Sequence, residues 1–260
     1  MNNHDFLDQL EKGTLRAALP KADGTWEVQP EVKQRILQIF KESPLAEFSD
    51  HTEGQFRGFV DKLILEPRAF NLEDQIRMVP GGSSVRRGAH VGKNVVIMPP
   101  SYINIGAYVD ESTMIDSNVL VGSCAQIGKR VHLSAGVQIG GVLEPIGNMP
   151  VIIEDDAFIG GGVIVVEGIH VKRGAVLSPG VVLSAAIPIY DAVHETIIKG
   201  YIPENAVVVP GGRPINTDWG LKNRLSVQCC IIIKYKNDKT AASLQLESAL
   251  RNLGSETYDS

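Results

Sequence analysis

The sequence predicts a mainly β protein whose chain winds as a solenoid, and three observations predict it. An aliphatic residue recurs every six positions at Val85, Val91, Ile97, Ile103, Val109, Ile115, Val121, Ile127, Leu133 and Ile139, without a slip. After a break through "EPIGNMP" the period resumes at Ile153, Ile159, Val165, Val171, Leu177, Leu183 and Ile189, then faintly at Ile202 and Val208. The residue four places after the anchor is small or β-branched in nearly every hexad, as at Ala89, Ser101, Thr113, Ala125, Val137 and Ala157. Glycine often fills the fourth place of the hexad, as at Gly88, Gly106, Gly136, Gly162, Gly168, Gly174 and Gly180, where a chain turning a corner can need positive φ. Six is the period of neither a helix nor a strand. A backbone of short strands and corners, with anchor and small companion pointing inward and each coil hydrogen-bonded to the next, meets all three demands.

The flanks read differently. In "PEVKQRILQIFKES" Val32, Ile36, Leu37 and Phe40 fall on one helical face, with Pro30 near the start and Glu31 in the first turn. Residues 1–75 are therefore expected to form a mainly helical N-terminal cap, followed by the coil over 76–212. In the C-terminal extension, 213–260, "LSVQCCIIIKY" reads as a strand and "KTAASLQLESALRNL" as a closing helix, with "GGRPINTDWGLKNR" as the loop before them.

Composition narrows the function. A net charge of −5 over 260 residues argues against a broad nucleic-acid surface, which wants a basic stripe. No basic region followed by an apolar run opens the chain, and no segment has the ~18 consecutive apolar residues of a membrane span, so a cytoplasmic protein is expected. Cys124, Cys229 and Cys230 form no CxxC pair and read as small core residues of a protein in a reducing compartment. A solenoid has few concavities of its own, so a site needs a protruding loop or a neighbouring subunit. The "EPIGNMP" break offers the first, and outward apolar residues such as Val96, Ile164 and Val182 argue for the second.

The hexapeptide pattern resembles the left-handed parallel β-helix, with three hexads per triangular coil. About nineteen hexads would make roughly six coils, and a prism on the order of 30 Å tall at the strand spacing. More specifically, "NIGAYVDE", "VGSCAQIGK" and "GGVLEP", with "QIRMVP" before them and "VVEG" and "VVVPG" after, resemble the bacterial tetrahydrodipicolinate N-succinyltransferases of the route to diaminopimelate and lysine. The resemblance is close over about residues 76–211 and loose in both flanks. It implies a homotrimer that transfers succinyl from succinyl-CoA, a co-substrate rather than a tightly bound cofactor, to the amino group of ring-opened tetrahydrodipicolinate, with sites between subunits.

The resemblance also gives residues roles. Arg77 of "QIRMVP" falls on the family's substrate-binding arginine, and a guanidinium fork suits a dicarboxylate substrate. Asp116 of "TMID" falls on the family's substrate-contacting acid, which would orient the ammonium, take its proton or activate water. Glu167 in "VVEG" is a second acid. Backbone N–H groups around "GSCAQIGK" or "IGGG" would meet charge developing on the thioester oxygen. Lys172, Arg173 and Arg213 are candidates for the CoA phosphates, with Lys199, Lys222 and Arg224 near them. The chain departs from the family pattern in two places. Gly161, Gly162, Val163 and Ile164 stand where many members carry Ala-Arg-Ser-Glu, and Asn118 stands where an aromatic is common, which leaves an acetyl-CoA-dependent N-acetyltransferase as the alternative. A zinc hydratase of the γ-carbonic anhydrase type is a remoter alternative. It needs converging histidines, but His90, His132 and His170 are separated by 42 and 38 residues, not multiples of 18, and are not expected to stack on one face.

Overall fold

A computed structural model describes residues 1–50 and 57–236. The hexads form a three-sided parallel β-helix in which, from Ser84–Val85 to Val182–Leu183, each strand is two residues long and its second residue is the predicted anchor. The first face stacks, in coil order, the strands Arg77–Met78, Val96–Ile97, Met114–Ile115, His132–Leu133, Phe158–Ile159 and Val176–Leu177. The second stacks His90–Val91, Tyr108–Val109, Gln126–Ile127, Ile152–Ile153, His170–Val171 and Tyr201–Ile202. The third stacks Ser84–Val85, Tyr102–Ile103, Leu120–Val121, Gln138–Ile139, Ile164–Val165 and Val182–Leu183. Six stacked coils result, as the hexad count anticipates.

The anchors fill the interior: Ile97, Ile103, Ile115, Ile127, Leu133 and Ile139 are all 0% exposed. Two companions are polar, and the coil explains why they are tolerated. Ser101 Oγ donates to the Asp116 carbonyl and accepts the Val119 N–H. Thr113 Oγ1 donates to the Gly128 carbonyl and accepts the Val131 N–H. Each hydroxyl thus joins its own coil to the next, so neither of these two hydroxyls is left unpaired. The fourth hexad place is left-handed as predicted, in glycine at Gly106 and Gly162 and also in Asn94, Asn118 and Arg130.

The N-terminal segment is mixed, where a mainly helical cap was expected. Helix α1 (Asn3–Glu11) and helix α2 (Pro30–Glu42) are accompanied by two antiparallel hairpins, Ala18–Pro20 with Trp26–Val28 and Leu45–Asp50 with Arg57–Lys62. On α2 the buried residues are Val32, Lys33, Ile36 and Ile39, whereas Leu37 and Phe40 are half-buried. The cap covers the early coils of the second face. Gly106 is left-handed at φ 73°, and a Cβ there would lie 2.9 Å from Ile36 Cδ1, so glycine suits both the corner and the close approach of α2. The Arg16 guanidinium stacks 3.6 Å above the Tyr108 ring, and its Nε donates to Gln126 Oε1 at 2.9 Å.

At the far end, Ala206–Pro214 leaves the coil and pairs antiparallel with Ser226–Tyr235, which in turn pairs in parallel with Ile189–Asp191, so the first-face sheet extends to ten strands. The predicted strand is present. The predicted loop contains a short helix, Asp218–Lys222. The closing helix expected at "KTAASLQLESALRNL" lies outside the described residues. Among the described residues no helix is long and apolar enough to cross a membrane.

Candidate active site

Asp116 directly follows the strand Met114–Ile115, at the corner where the chain passes from the first face to the third. Its backbone N–H donates to Leu133 O at 2.9 Å, and its Oδ1 accepts the N–H of Ser117 at 2.7 Å. Asp110 does the same for Glu111 at its own corner. One carboxylate oxygen of Asp116 is therefore engaged in turning the chain, and the other has no partner among the described residues. One and two coils further on, the same corner carries Ser134 and Gly160. There the N–H groups of Ala135 and Gly161, unlike that of Ser117, have no hydrogen-bond partner among the described residues. Of the two glycine-rich stretches suggested for a developing oxyanion, "IGGG" thus has a free donor in the same corner column as Asp116.

Arg77 is exposed on the outer side of the first face, in the column Arg77, Val96, Met114, His132. It stands two strands from Met114, roughly 10 Å at the strand spacing, and makes no ion pair among the described residues. A guanidinium without an ion pair among the described residues thus lies on the first face, two strands from the strand whose following corner carries the half-free carboxylate of Asp116.

The third face lies between the Asp116 corner and the corner carrying Glu167. Its outward column is Ser84, Tyr102, Leu120, Gln138, Ile164 and Val182, with no charge. Ile164 of the departing segment is in register with Gln138, and Asn118 helps line a shallow pocket with Tyr102 and Gln138. On the far side Glu167 is exposed and left-handed at φ 57°, and its Oε2 accepts the Ala185 N–H at 2.9 Å. It lines a cleft of about 710 Å³ whose opposite wall is the ejected loop, through Glu144, Gly147, Asn148 and Met149.

The three cations suggested for CoA do not converge within one chain. Arg173 ends a corner column of alternating charge in which Lys129 pairs with Glu111 at 2.9 Å and Arg130 with Asp156 at 2.7 Å; Arg173 is among the cations that hold the Asp156 carboxyl below its usual value. Lys172 lines a second-face pocket with Trp26, His170, Lys199 and Tyr201, its Nζ 5.0 Å from the Tyr201 ring centre. Arg213 lines another pocket, at the first-face extension, with Tyr190, Asp191 and Cys229.

The sequence reading missed a half-buried network beside Lys172. His170 Nε2 meets Glu154 Oε1 at 2.7 Å, the Trp26 indole N–H donates to the same oxygen at 3.2 Å, and the Arg173 N–H donates to the other at 2.9 Å. Burial alone would raise the Glu154 carboxyl, but these hydrogen bonds outweigh it and bring it down to about 2. Trp26 is 128 positions from Glu154, so no local spacing announces the contact.

The histidine geometry corrects one expectation. His90 and His170 do share the second face, because the ejected loop adds eight residues to one coil between them (Gln126 pairs with Ile152, 26 positions on, where the other three steps from His90 to His170 take 18). They are four strands apart, roughly 19 Å, and His90 bonds the Glu11 carbonyl while His132 stacks on Phe158 across the first face. The three cannot share a metal within one chain.

Comparison with known proteins agrees with this architecture. Residues 150–185 match the family described as the hexapeptide repeat of succinyl-transferase. The 2,3,4,5-tetrahydropyridine-2,6-dicarboxylate N-succinyltransferase of Rhodopseudomonas palustris (strain BisA53) is 42% identical over 95% of this chain and 88% of its own length. That of Paraburkholderia phymatum (strain DSM 17167) is 44% identical over 94% of this chain and 86% of its own length. Identity at this level over more than nine-tenths of the chain means that the chain belongs to the tetrahydropyridine-dicarboxylate N-succinyltransferase family and that its coil is the left-handed parallel β-helix of hexapeptide acyltransferases.

Proposed function

We propose that this protein transfers the succinyl group of succinyl-CoA to the amino group of ring-opened tetrahydropyridine-2,6-dicarboxylate, as a homotrimer in the cytoplasm. The near full-length identity to proteins named for that reaction carries the reading. Arg77 clamps a substrate carboxylate through its fork of N–H donors. The free oxygen of Asp116 takes a proton from the substrate ammonium, exposing the lone pair that attacks the thioester carbon. The Gly161 N–H meets the oxygen of the tetrahedral intermediate, which collapses with the sulfur of CoA as leaving group. The half-buried apolar residues Val96, Ile164 and Val182 support packing of prism against prism, so that the Asp116 corner of one protomer faces the Glu167 cleft of the next. CoA is held as a co-substrate along that groove, and Lys172, Arg173 and Arg213, which lie apart within one chain, are the candidate cations for its phosphates once protomers are packed together.

The uncharged third face and Gly161–Ile164 keep a second reading alive, transfer of acetyl from acetyl-CoA to the same amine. Both readings are tested by measuring free thiol released from succinyl-CoA and from acetyl-CoA in the presence of the cyclic dicarboxylate. Release from succinyl-CoA alone supports the first reading, and release from acetyl-CoA alone replaces it with the second.

A further inference from the structure

Lys33 is 0% exposed, yet it lies on α2 among Val32, Ile36 and Ile39, packed in the cluster that joins the cap to Ile105 and Cys124 of the coil. An ammonium in such surroundings is costly unless a hydrogen bond compensates it. Its partner is the backbone carbonyl of Asn148, in the loop that leaves the repeat between Ile139 and Ile152. Burial pulls the Lys33 ammonium below its ordinary value, with a weaker opposing influence from Cys124, which agrees with a cation taken out of water.

The loop has left the coil ladder, so few other contacts hold it. Val142 N–H still reaches Ser123 O at 3.2 Å, and Asn148 N–H turns back to Pro145 O at 3.0 Å. Leu143 packs against the cap cluster. At the other end the loop presses on the Glu167 corner: a Cβ at Gly168 would lie 2.5 Å from Met149 O. The bond from Lys33 thus acts one residue from the atom that abuts the corner bearing Glu167, and Asn148 and Met149 are themselves cleft wall.

We infer that Lys33 is a positioning residue for the cleft: its ammonium, carried by the cap helix, pins the 144–150 loop as a wall opposite Glu167, so that cap docking and cleft shape are set together. An apolar residue would fill the same volume in the cluster with no desolvation cost, and what only a donor adds is the bond to the loop. The kinetic half of this inference rests on the succinyl-transfer reading, and the structural half does not.

The test uses the full-length protein and the variants Lys33→Met, which keeps length and loses the donor, and Lys33→Gln, which keeps an N–H donor of shorter reach. Amide hydrogen exchange is followed over residues 141–150 and over the coil strands, with kcat and KM from thiol release. The expected result for Lys33→Met is faster exchange confined to the loop, an unchanged coil, and kcat/KM lower by about tenfold or more, since displacements near 1 Å cost this much at a reacting centre. Lys33→Gln recovers part of both. Unchanged loop exchange in Lys33→Met overturns the inference. So does faster loop exchange with wild-type kcat and KM, because the loop would then be no part of the working site. If Lys33→Met does not fold, the same comparison is made with Lys33→Gln alone, where wild-type exchange and kinetics overturn it. Absence of succinyl transfer in the unmodified protein, with loop exchange still dependent on Lys33, rejects the activity and leaves the pin standing.

Discussion

Replacing Asp116 by asparagine separates a reacting acid from a residue that only turns a corner. The engaged oxygen accepts the Ser117 N–H at 2.7 Å, and an asparagine Oδ1 can occupy the same place. What the fold loses is the difference between a charge-assisted and a neutral hydrogen bond at a half-exposed site, roughly 0.5–1 kcal/mol. For a chain of this size that is a fall in Tm of about 1–4 °C. The chemistry loses more. The free oxygen becomes an amide nitrogen with no basic lone pair, and loss of a general base lowers kcat by ~10² or more, equivalent to about 3 kcal/mol in the barrier. Thiol release at saturating succinyl-CoA and amine measures kcat, and differential scanning fluorimetry measures Tm on the same preparation. A loss confined to KM would make Asp116 an orienting group rather than a base. A variant that melts far earlier but keeps the activity of its folded fraction would refute the catalytic role and pass it to Glu167 or to backbone donors.

Arg77→Lys keeps a charge but loses the planar fork, so KM for the amine substrate rises about tenfold or more while that for succinyl-CoA stays nearly constant; equal effects on both would assign Arg77 to structure. Glu154 has a folded-state pKa of about 2, below its ordinary 4.5, so it contributes stability that is full above about pH 4.5 and lost as pH falls through about 2. Urea midpoints measured from pH 5 to pH 2 should fall less steeply in Glu154→Gln than in the native chain, and parallel curves would contradict the shift. Burial pushes the Cys124 thiol up to about 12 and Cys230 to about 11, so a thiol reagent at pH 8 should label neither in the folded protein and all three cysteines in urea. Light scattering at micromolar concentration should report three chain masses, and a stable monomer would remove the inter-subunit site.

The coil was legible because its code is local. Each hexad repeats the same bargain of anchor, corner and companion, and burial of Val121, Ile127, Leu133 and Ile139 follows from period alone. Asp116 and Arg77 are proposed from motif alone, since each stands in a stretch that resembles a family whose substrate calls for an acid and a guanidinium. Even so, the sequence did not say that Asp116 divides its two oxygens between a corner N–H and solvent.

Tertiary structure decided everything that depends on contacts across many positions. Lys33 reads from sequence as one more polar residue of an amphipathic helix, and only the docking of α2 against Cys124 and the 144–150 loop buries it. Trp26 reads as a hairpin aromatic until the cap sets it against Glu154 and His170. The register of His90 with His170 turned on an eight-residue excess in one coil, which a fixed period of 18 conceals. Lys172, Arg173 and Arg213 are near one another in an argument about charge but on different sides of the prism, because successive hexads turn the chain from face to face. Sequence period determined which way each side chain points, in or out. Which outward side chains meet was set by the docking of the cap and the path of one ejected loop, neither of which repeats.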